Sequence, residues 1–267
     1  MIILSGKELK SSLAETIKNE LKDISLSFYL YSNKEDFASQ AYLRGIKKTL
    51  DTFNVPYSEG FIDLNKSKEE NLTLFKEESN GKHILMARPL GVKYENEFLS
   101  LISSRYDPDM LTTTNRGKLF GGDLNYLTAT SQSVKYIIES YNIEIENKHA
   151  LVLGRSTEVG YPCFQLLNKK NATVSLAHSK TDKETLNNLV KSADIIVLAT
   201  GKPGLIDRSL LSNKQIIIDC GFNPHGGDLG FVPNENELKA FTPVPGGVGA
   251  LTSYCLLRNA IYLEKNN

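Results

Sequence analysis

The sequence predicts an α/β fold of two layered domains, the second built on a parallel sheet. Three observations carry this. Short apolar runs recur along the chain, helical periodicity fills the intervals between them, and from residue 132 onward the two alternate in strict succession.

Leu9, Leu13, Ile17 and Leu21 recur every four residues and place one apolar stripe on a helix over 7–23. LSFYLY (26–31) reads as a strand, and Phe37, Leu43, Ile46 and Leu50 mark a second helix. Leu72, Leu74 and Phe75 sit in a charged helical stretch. HILMAR (83–88) is a strand stopped by Pro89, which lacks an amide donor and holds its predecessor extended. Phe98, Leu101 and Ile102 follow. Residues 106–131 lose periodicity and collect Gly, Asp, Asn and Thr, so a surface loop is expected there, either bordering a ligand or simply connecting.

Beyond it come helix 132–141, strand ALVL (150–153), helix 160–169, strand ATVSLA (172–177), helix 182–190, and strands DIIVLA (194–199) and QIIIDC (215–220). A last helix over about 250–263 carries Leu251, Tyr254, Cys255 and Ile261. The expected division is one small α/β domain over 1–130 and a second over 131–250.

With 267 residues, 40% hydrophobic and 23% charged, the chain can bury a substantial core, which excludes disordered and disulfide-stapled classes. Its 31 Lys+Arg balance 31 Asp+Glu, with no long block of either sign, so nothing points to nucleic acid or an anionic membrane as partner. Cys163, Cys220 and Cys255 are widely spaced and form no cluster of metal-ligand spacing. No metal is expected, and reduced thiols in a cytoplasmic compartment are. MIILSGKELKSSL is too short in its apolar run for a signal peptide, and no window approaches about 18 apolar residues, so membrane spanning is not expected.

Strand ALVL runs directly into GRSTEVGYP (154–162) and then a helix, the context of a Rossmann-like dinucleotide turn. Gly154 would allow the tight exit, and Gly160 would let the backbone approach a pyrophosphate attracted by helix amides. Ser156 and Val159 stand where a plain GxGxxG has glycines, so a bare strand-to-helix turn is the alternative. The next strand ends at His178, Ser179 and Lys180 with no acid to grip a ribose hydroxyl. Arg155, Ser179 and Lys180 offer donors suited to a 2′-phosphate, favouring NADP over NAD; a solvated serine and lysine would look the same. Thr200 and Gly201 follow the third strand and line the same crevice. TPVPGGVG (242–249) gives a rigid wall, or an interdomain hinge, through Pro245, Gly246 and Gly247. Thr252 begins the last helix and would cap it or touch ligand.

GRSTEVGYP, ATVSLAHSKT, ADIIVLATGKPG, IIIDCGFN and TPVPGGVGALT, in this order and spacing, closely resemble the bifunctional methylenetetrahydrofolate dehydrogenase/cyclohydrolase family. The resemblance implies NADP on the second domain, held in part by Gly221, and a reduced folate in a cleft facing it. It further implies a homodimer and a final helix, 251–267, that returns to the first domain. Family members show Ser-x-x-Tyr followed by Lys four residues beyond the Tyr. Here Ser39 and Tyr42 match, but the lysine position holds Ile46. Lys47 and Lys48 point about 100 and 200 degrees away from it on a helix. The family's Gln-Leu-Pro-Leu appears as Ala87-Arg88-Pro89-Leu90, so the glutamine that assists the lysine is absent. Asp-Val-Asp-Gly appears as Asp107-Pro108-Asp109-Met110, keeping the aspartate that binds the pterin, and Pro-Cys-Thr-Pro appears as Thr128-Ala129-Thr130-Ser131.

The expectation is therefore an NADP-linked oxidation of 5,10-methylenetetrahydrofolate with the cyclohydrolase weak or lost. Tyr42 and Asp109 are the expected catalytic residues, and they contact the substrate together with Pro245, Gly246, Gly247 and Thr252. A non-catalytic nucleotide-binding paralogue, or an oxidoreductase on another pterin or small molecule, stays open at this point.

Overall fold

The structure, a computed structural model, describes residues 1–223 and 226–266. Its chain forms two compact units, each an α/β layer with a wholly parallel sheet.

The larger unit takes Met1–Leu13 with Leu119–Cys255. Its six-stranded sheet contains β1 (Ile2–Ile3), β5 (His149–Leu153), β6 (Thr173–Ala177), β7 (Ile195–Leu198), β8 (Ile216–Asp219) and β9 (Ala240–Phe241), in the order β1-β9-β8-β7-β5-β6. Strands β5, β7 and β8 are the expected continuous apolar runs, nearly all of them buried, as central strands covered on both faces must be. Helices α6 (Ala129–Ser140), α7 (Gly160–Lys169) and α8 (Lys183–Ser192) provide the connections and cover. Leu151, Leu153, Val190, Ile196, Leu198, Ile217 and Phe241 belong to one core cluster.

The smaller unit takes Ala14–Lys118 with the chain from Leu256 onward. Its three-stranded sheet has the order β3-β2-β4, from β2 (Phe28–Ser32), β3 (Tyr57–Phe61) and β4 (His83–Met86). Helices α2 (Phe37–Thr52), α3 (Lys68–Glu78) and α4 (Glu95–Leu101) complete it. Asp36 starts α2 by accepting the Ser39 amide at 2.7 Å, and Ser67 with Glu70 forms a reciprocal capping box on α3. Tyr31, Phe75 and Phe98 pack edge-on or tilted as the aromatic centre of the core.

Helices α1 (Gly6–Glu20), α5 (Thr113–Phe120) and α9 (Thr252–Lys265) run across the unit boundaries. The expected 1–130 grouping differs from this division because β1 hydrogen-bonds to β9, which takes the first thirteen residues into the larger unit.

The surface loop expected over 106–131 is corrected by the structure. It contains α5 and the start of α6, and Asp107, Met110, Leu111, Asn115, Tyr126 and Leu127 are buried. Polar bonds organise this segment. Asp107, fully buried, accepts the amides of Leu111 and Thr112, the Thr112 hydroxyl and the Asn115 side-chain amide at 2.7–3.0 Å. Such a nucleus has no apolar period to betray it. No helix among the described residues is long and apolar enough to cross a membrane, and none of these residues form a His/Cys/Asp/Glu group fit for a metal.

Candidate active site

In the larger unit, the site is built at the carboxyl ends of β5, β6, β7 and β8. Gly154 leaves β5 at φ +122°, and a Cβ there would lie 2.1 Å from the Ala199 carbonyl oxygen. A Cβ on Gly160 would lie 2.2 Å from the Gly154 carbonyl oxygen, so Gly160 lets the turn close upon itself. The Ser156 hydroxyl accepts the Val159 and Gly160 amides at 3.1 and 3.4 Å, and the Ser156 carbonyl accepts that of Tyr161. Ser156 thus takes two of the amides at the entry to α7. The exposed side of the turn is made by Arg155, Ser156 and Thr157.

After β6, His178 Nδ1 accepts the Lys180 amide and the His178 amide reaches the Thr181 hydroxyl, so His178 shapes the turn. Ser179 and Lys180 are exposed. Asp182, the first acid beyond the strand, caps α8 through the Thr185 amide and hydroxyl at 2.9 and 2.7 Å; these bonds hold its carboxyl below the usual range. Thr200 and Gly201 after β7, and Gly221 after β8, give their amides to the buried carboxylates of Asp228 and Asp219. Gly246, at φ +110°, follows the cis Val244–Pro245 bond and its carbonyl accepts the Lys7 amide. Gly247 has no room for a side chain, since a Cβ would sit 2.5 Å from the Pro243 carbonyl oxygen. Thr252 is the first residue of α9, and its hydroxyl donates back to the Gly249 carbonyl at 3.2 Å instead of accepting a helix amide, so it is no N-cap.

In the smaller unit, Tyr42 lies on α2 with 41% of its surface exposed. Surrounding protein, and secondarily the Asp109 carboxylate, push its phenol well above the usual range and keep it protonated. Asp109 is half-buried, two residues past the clamp residue Asp107 and next to Met110, whose φ is +55°. The structure thus brings Tyr42 and Asp109 within electrostatic reach of each other. Ile46 is buried at 2% exposure on the α2 face shared with Leu43 and Leu50, and Ala87 is buried directly beyond β4. Lys47 pairs with Glu59 at 2.9 Å, and Lys48 is exposed. A separate 470 Å³ recess between β3 and α3, lined by Tyr31, Lys34, Phe61 and Glu78 among others, holds none of the expected site residues.

Residues 128–267 match the family model described as the tetrahydrofolate dehydrogenase/cyclohydrolase NAD(P)-binding domain. The bifunctional protein FolD of Clostridium beijerinckii is 34% identical over 99% of this chain and 98% of its own length. The chain belongs to the FolD family. The crystal structure of FolD methylenetetrahydrofolate dehydrogenase/cyclohydrolase from Campylobacter jejuni superposes with a TM-score of 0.88 at 29% identity, covering 100% of this chain and 99% of that one. FolD from Trypanosoma brucei, complexed with NADP cofactor and inhibitor, gives 0.86 at 25% identity over 99% and 97%.

For a FolD-family chain, the donors at the ends of β5 and β6 suit an anionic dinucleotide. Arg155 and Lys180 are exposed, and Asp182 is committed to its helix. Asp219 and Asp228 are not among the site residues the sequence predicts. Their signal was present: an acid closing the Ile216–Ile218 run, and another following Gly226–Gly227.

Proposed function

We propose that the chain oxidises 5,10-methylenetetrahydrofolate to the 5,10-methenyl compound with NADP, and hydrolyses that product weakly or not at all. The observation that carries the reading is the side chain at position 46. Opening the methenyl ring requires proton transfer and polarisation, and isoleucine has neither a titrating group nor a donor. The neighbouring amines do not stand in: Lys47 is paired with Glu59 and Lys48 faces solvent. Ala87 likewise offers nothing to assist.

Oxidation asks less of the side chains, because hydride transfer depends on holding the donor carbon against the acceptor ring. NADP, when bound, supplies that hydride acceptor. Arg155, Ser179 and Lys180 would hold the 2′-phosphate, with His178 shaping their turn. Gly154, Ser156 and Gly160 would form the pyrophosphate turn, and Thr200, Gly201 and Gly221 would bracket the nicotinamide end. Asp109 would accept from the pterin amino group and ring nitrogen, and the protonated Tyr42 would edge the ring. Pro245, Gly246, Gly247 and Thr252 would wall the substrate. The absence of an available acid after β6 supports NADP over NAD. The working form is proposed to be a homodimer, which light scattering of the purified chain tests.

The deciding experiment adds methylenetetrahydrofolate and NADP to the purified protein and follows methenyl formation, then supplies methenyltetrahydrofolate alone and follows its hydrolysis. Turnover in the first assay with near-background rates in the second is expected. NADP binding without turnover would favour the non-catalytic alternative, and brisk hydrolysis would overturn the loss of the second activity.

A further inference from the structure

Two carboxylates lie beneath the loops that follow β7 and β8, each on a residue only 3% exposed. Asp219 Oδ1 accepts the Gly221 and Asp228 amides at 2.8 and 3.0 Å, and its Oδ2 accepts the Leu229 amide at 2.8 Å. Asp228 Oδ2 accepts the Thr200 amide at 2.6 Å, the Thr200 hydroxyl at 2.9 Å and the Gly201 amide at 2.9 Å. Asp228 Oδ1 is buried without a hydrogen-bond partner among the described residues. It lies against Gly221, where an added Cβ would be 2.1 Å away.

The sheet order places these loops. The phosphate turn follows β5, and β6 on one side carries the residues suited to the adenosine ribose. The other half of a dinucleotide must then extend over β7 and β8, on the opposite side of β5. Oxidised and reduced nicotinamide differ there by one unit of charge: the oxidised ring is cationic and the reduced ring neutral.

We propose that the Asp219–Asp228 pair sets this site's preference for the oxidised over the reduced cofactor, by holding negative charge beneath the loops that carry the nicotinamide. This rests on the cofactor reading above. Three donors compensate Asp228 Oδ2, whereas Oδ1 has none among the described residues, so part of the charge remains to act on a neighbouring ring through a medium that screens poorly. A cation gains from that field and a neutral ring does not.

Charge and scaffold can be separated because the donors are distributed unequally. All those on Asp228 meet one oxygen, so an asparagine with its carbonyl at that position keeps the loop in place and removes the charge. Asp219 takes donors on both oxygens, and an asparagine there would turn an NH2 group against an amide N–H. Calorimetric titration of the purified chain with NADP⁺ and, separately, with NADPH tests the inference. Asp228→Asn is expected to weaken NADP⁺ by roughly three- to tenfold and to change NADPH by less than about twofold, a shift in ratio that a loosened scaffold would not produce. Thr200→Val removes one compensating donor and is expected to move the ratio the opposite way; it decides the matter if Asp228→Asn does not fold. Unchanged ratios overturn the inference and leave the cofactor reading standing. A parent chain that binds neither form overturns both.

Discussion

Lys47 Nζ lies 2.9 Å from a Glu59 carboxylate oxygen, binding α2 to the edge strand β3 one residue beyond the buried Ile46. The amine nearest in sequence to Ile46 is thus held in an intraprotein ion pair. Both partners are partly exposed, so the pair adds little stability; its effect is on where the amine points.

A lysine at position 46 alone is not expected to confer hydrolysis. Ile46→Lys places an ammonium on a buried apolar helix face, and the buried Ala87 offers no side-chain hydrogen-bonding group. The expected outcome is a stability loss on the order of 3 kcal/mol and little methenyl hydrolysis. Thermal melts and a hydrolysis assay on the variant check this; a large hydrolytic gain would count against the need for both positions.

Arg155→Ala should weaken NADP about tenfold while NAD changes little, because only the phosphorylated cofactor presents a dianion to the guanidinium. Parallel titrations with the two cofactors read the difference. Equal weakening would remove Arg155 from recognition of the 2′-phosphate.

The two aspartates of Asp107-Pro108-Asp109 are expected to separate by what they disturb. Asp107→Ala strands four donors in the interior and should destabilise the chain by about 3–5 kcal/mol. Asp109→Asn should leave stability within about 1 kcal/mol and reduce folate turnover by about tenfold or more. Urea melts beside steady-state kinetics tell these apart.

Acid should reveal His83. Burial, aided by Arg105 and opposed by Glu264, lowers its pKa from 6.5 to about 4, so the folded chain keeps the ring neutral while the unfolded chain protonates it. That contribution is complete above pH 6.5 and is lost progressively as pH falls towards 4, by up to about 3 kcal/mol. His83→Phe, packed between Phe28 and Tyr106, should flatten this part of the stability–pH curve in urea melts taken at several pH values.

The architecture was legible wherever burial leaves a period or a run. Strands β5, β7 and β8 are runs of Ile, Leu, Val and Ala broken only by His149 at one end and Asp219 at the other, and α2 shows its stripe. Strand β3, YSEGF, was not legible, because its one fully buried residue is Gly60, whose missing side chain makes room for the Tyr29 hydroxyl. Strands β1 and β9 are two residues each, too short for any alternation. At the candidate site, the positions of Gly154, Arg155, Ser179 and Lys180 at strand ends followed from the alternation alone. The anchoring of the Thr200 and Gly221 loops did not, because it depends on carboxylates 28 and 2 residues away along the chain.

The pairing of Ile2 with Ala240 gives the larger sheet an unusual dependence on synthesis order. As the ribosome extends the chain, β1 waits for β9, and β8 lacks its outer neighbours until then. A nascent chain would therefore carry an open sheet margin at β8 from the making of Ile216–Asp219 until Ala240–Phe241 follows, which marks this stage as one at which a chaperone has something to protect.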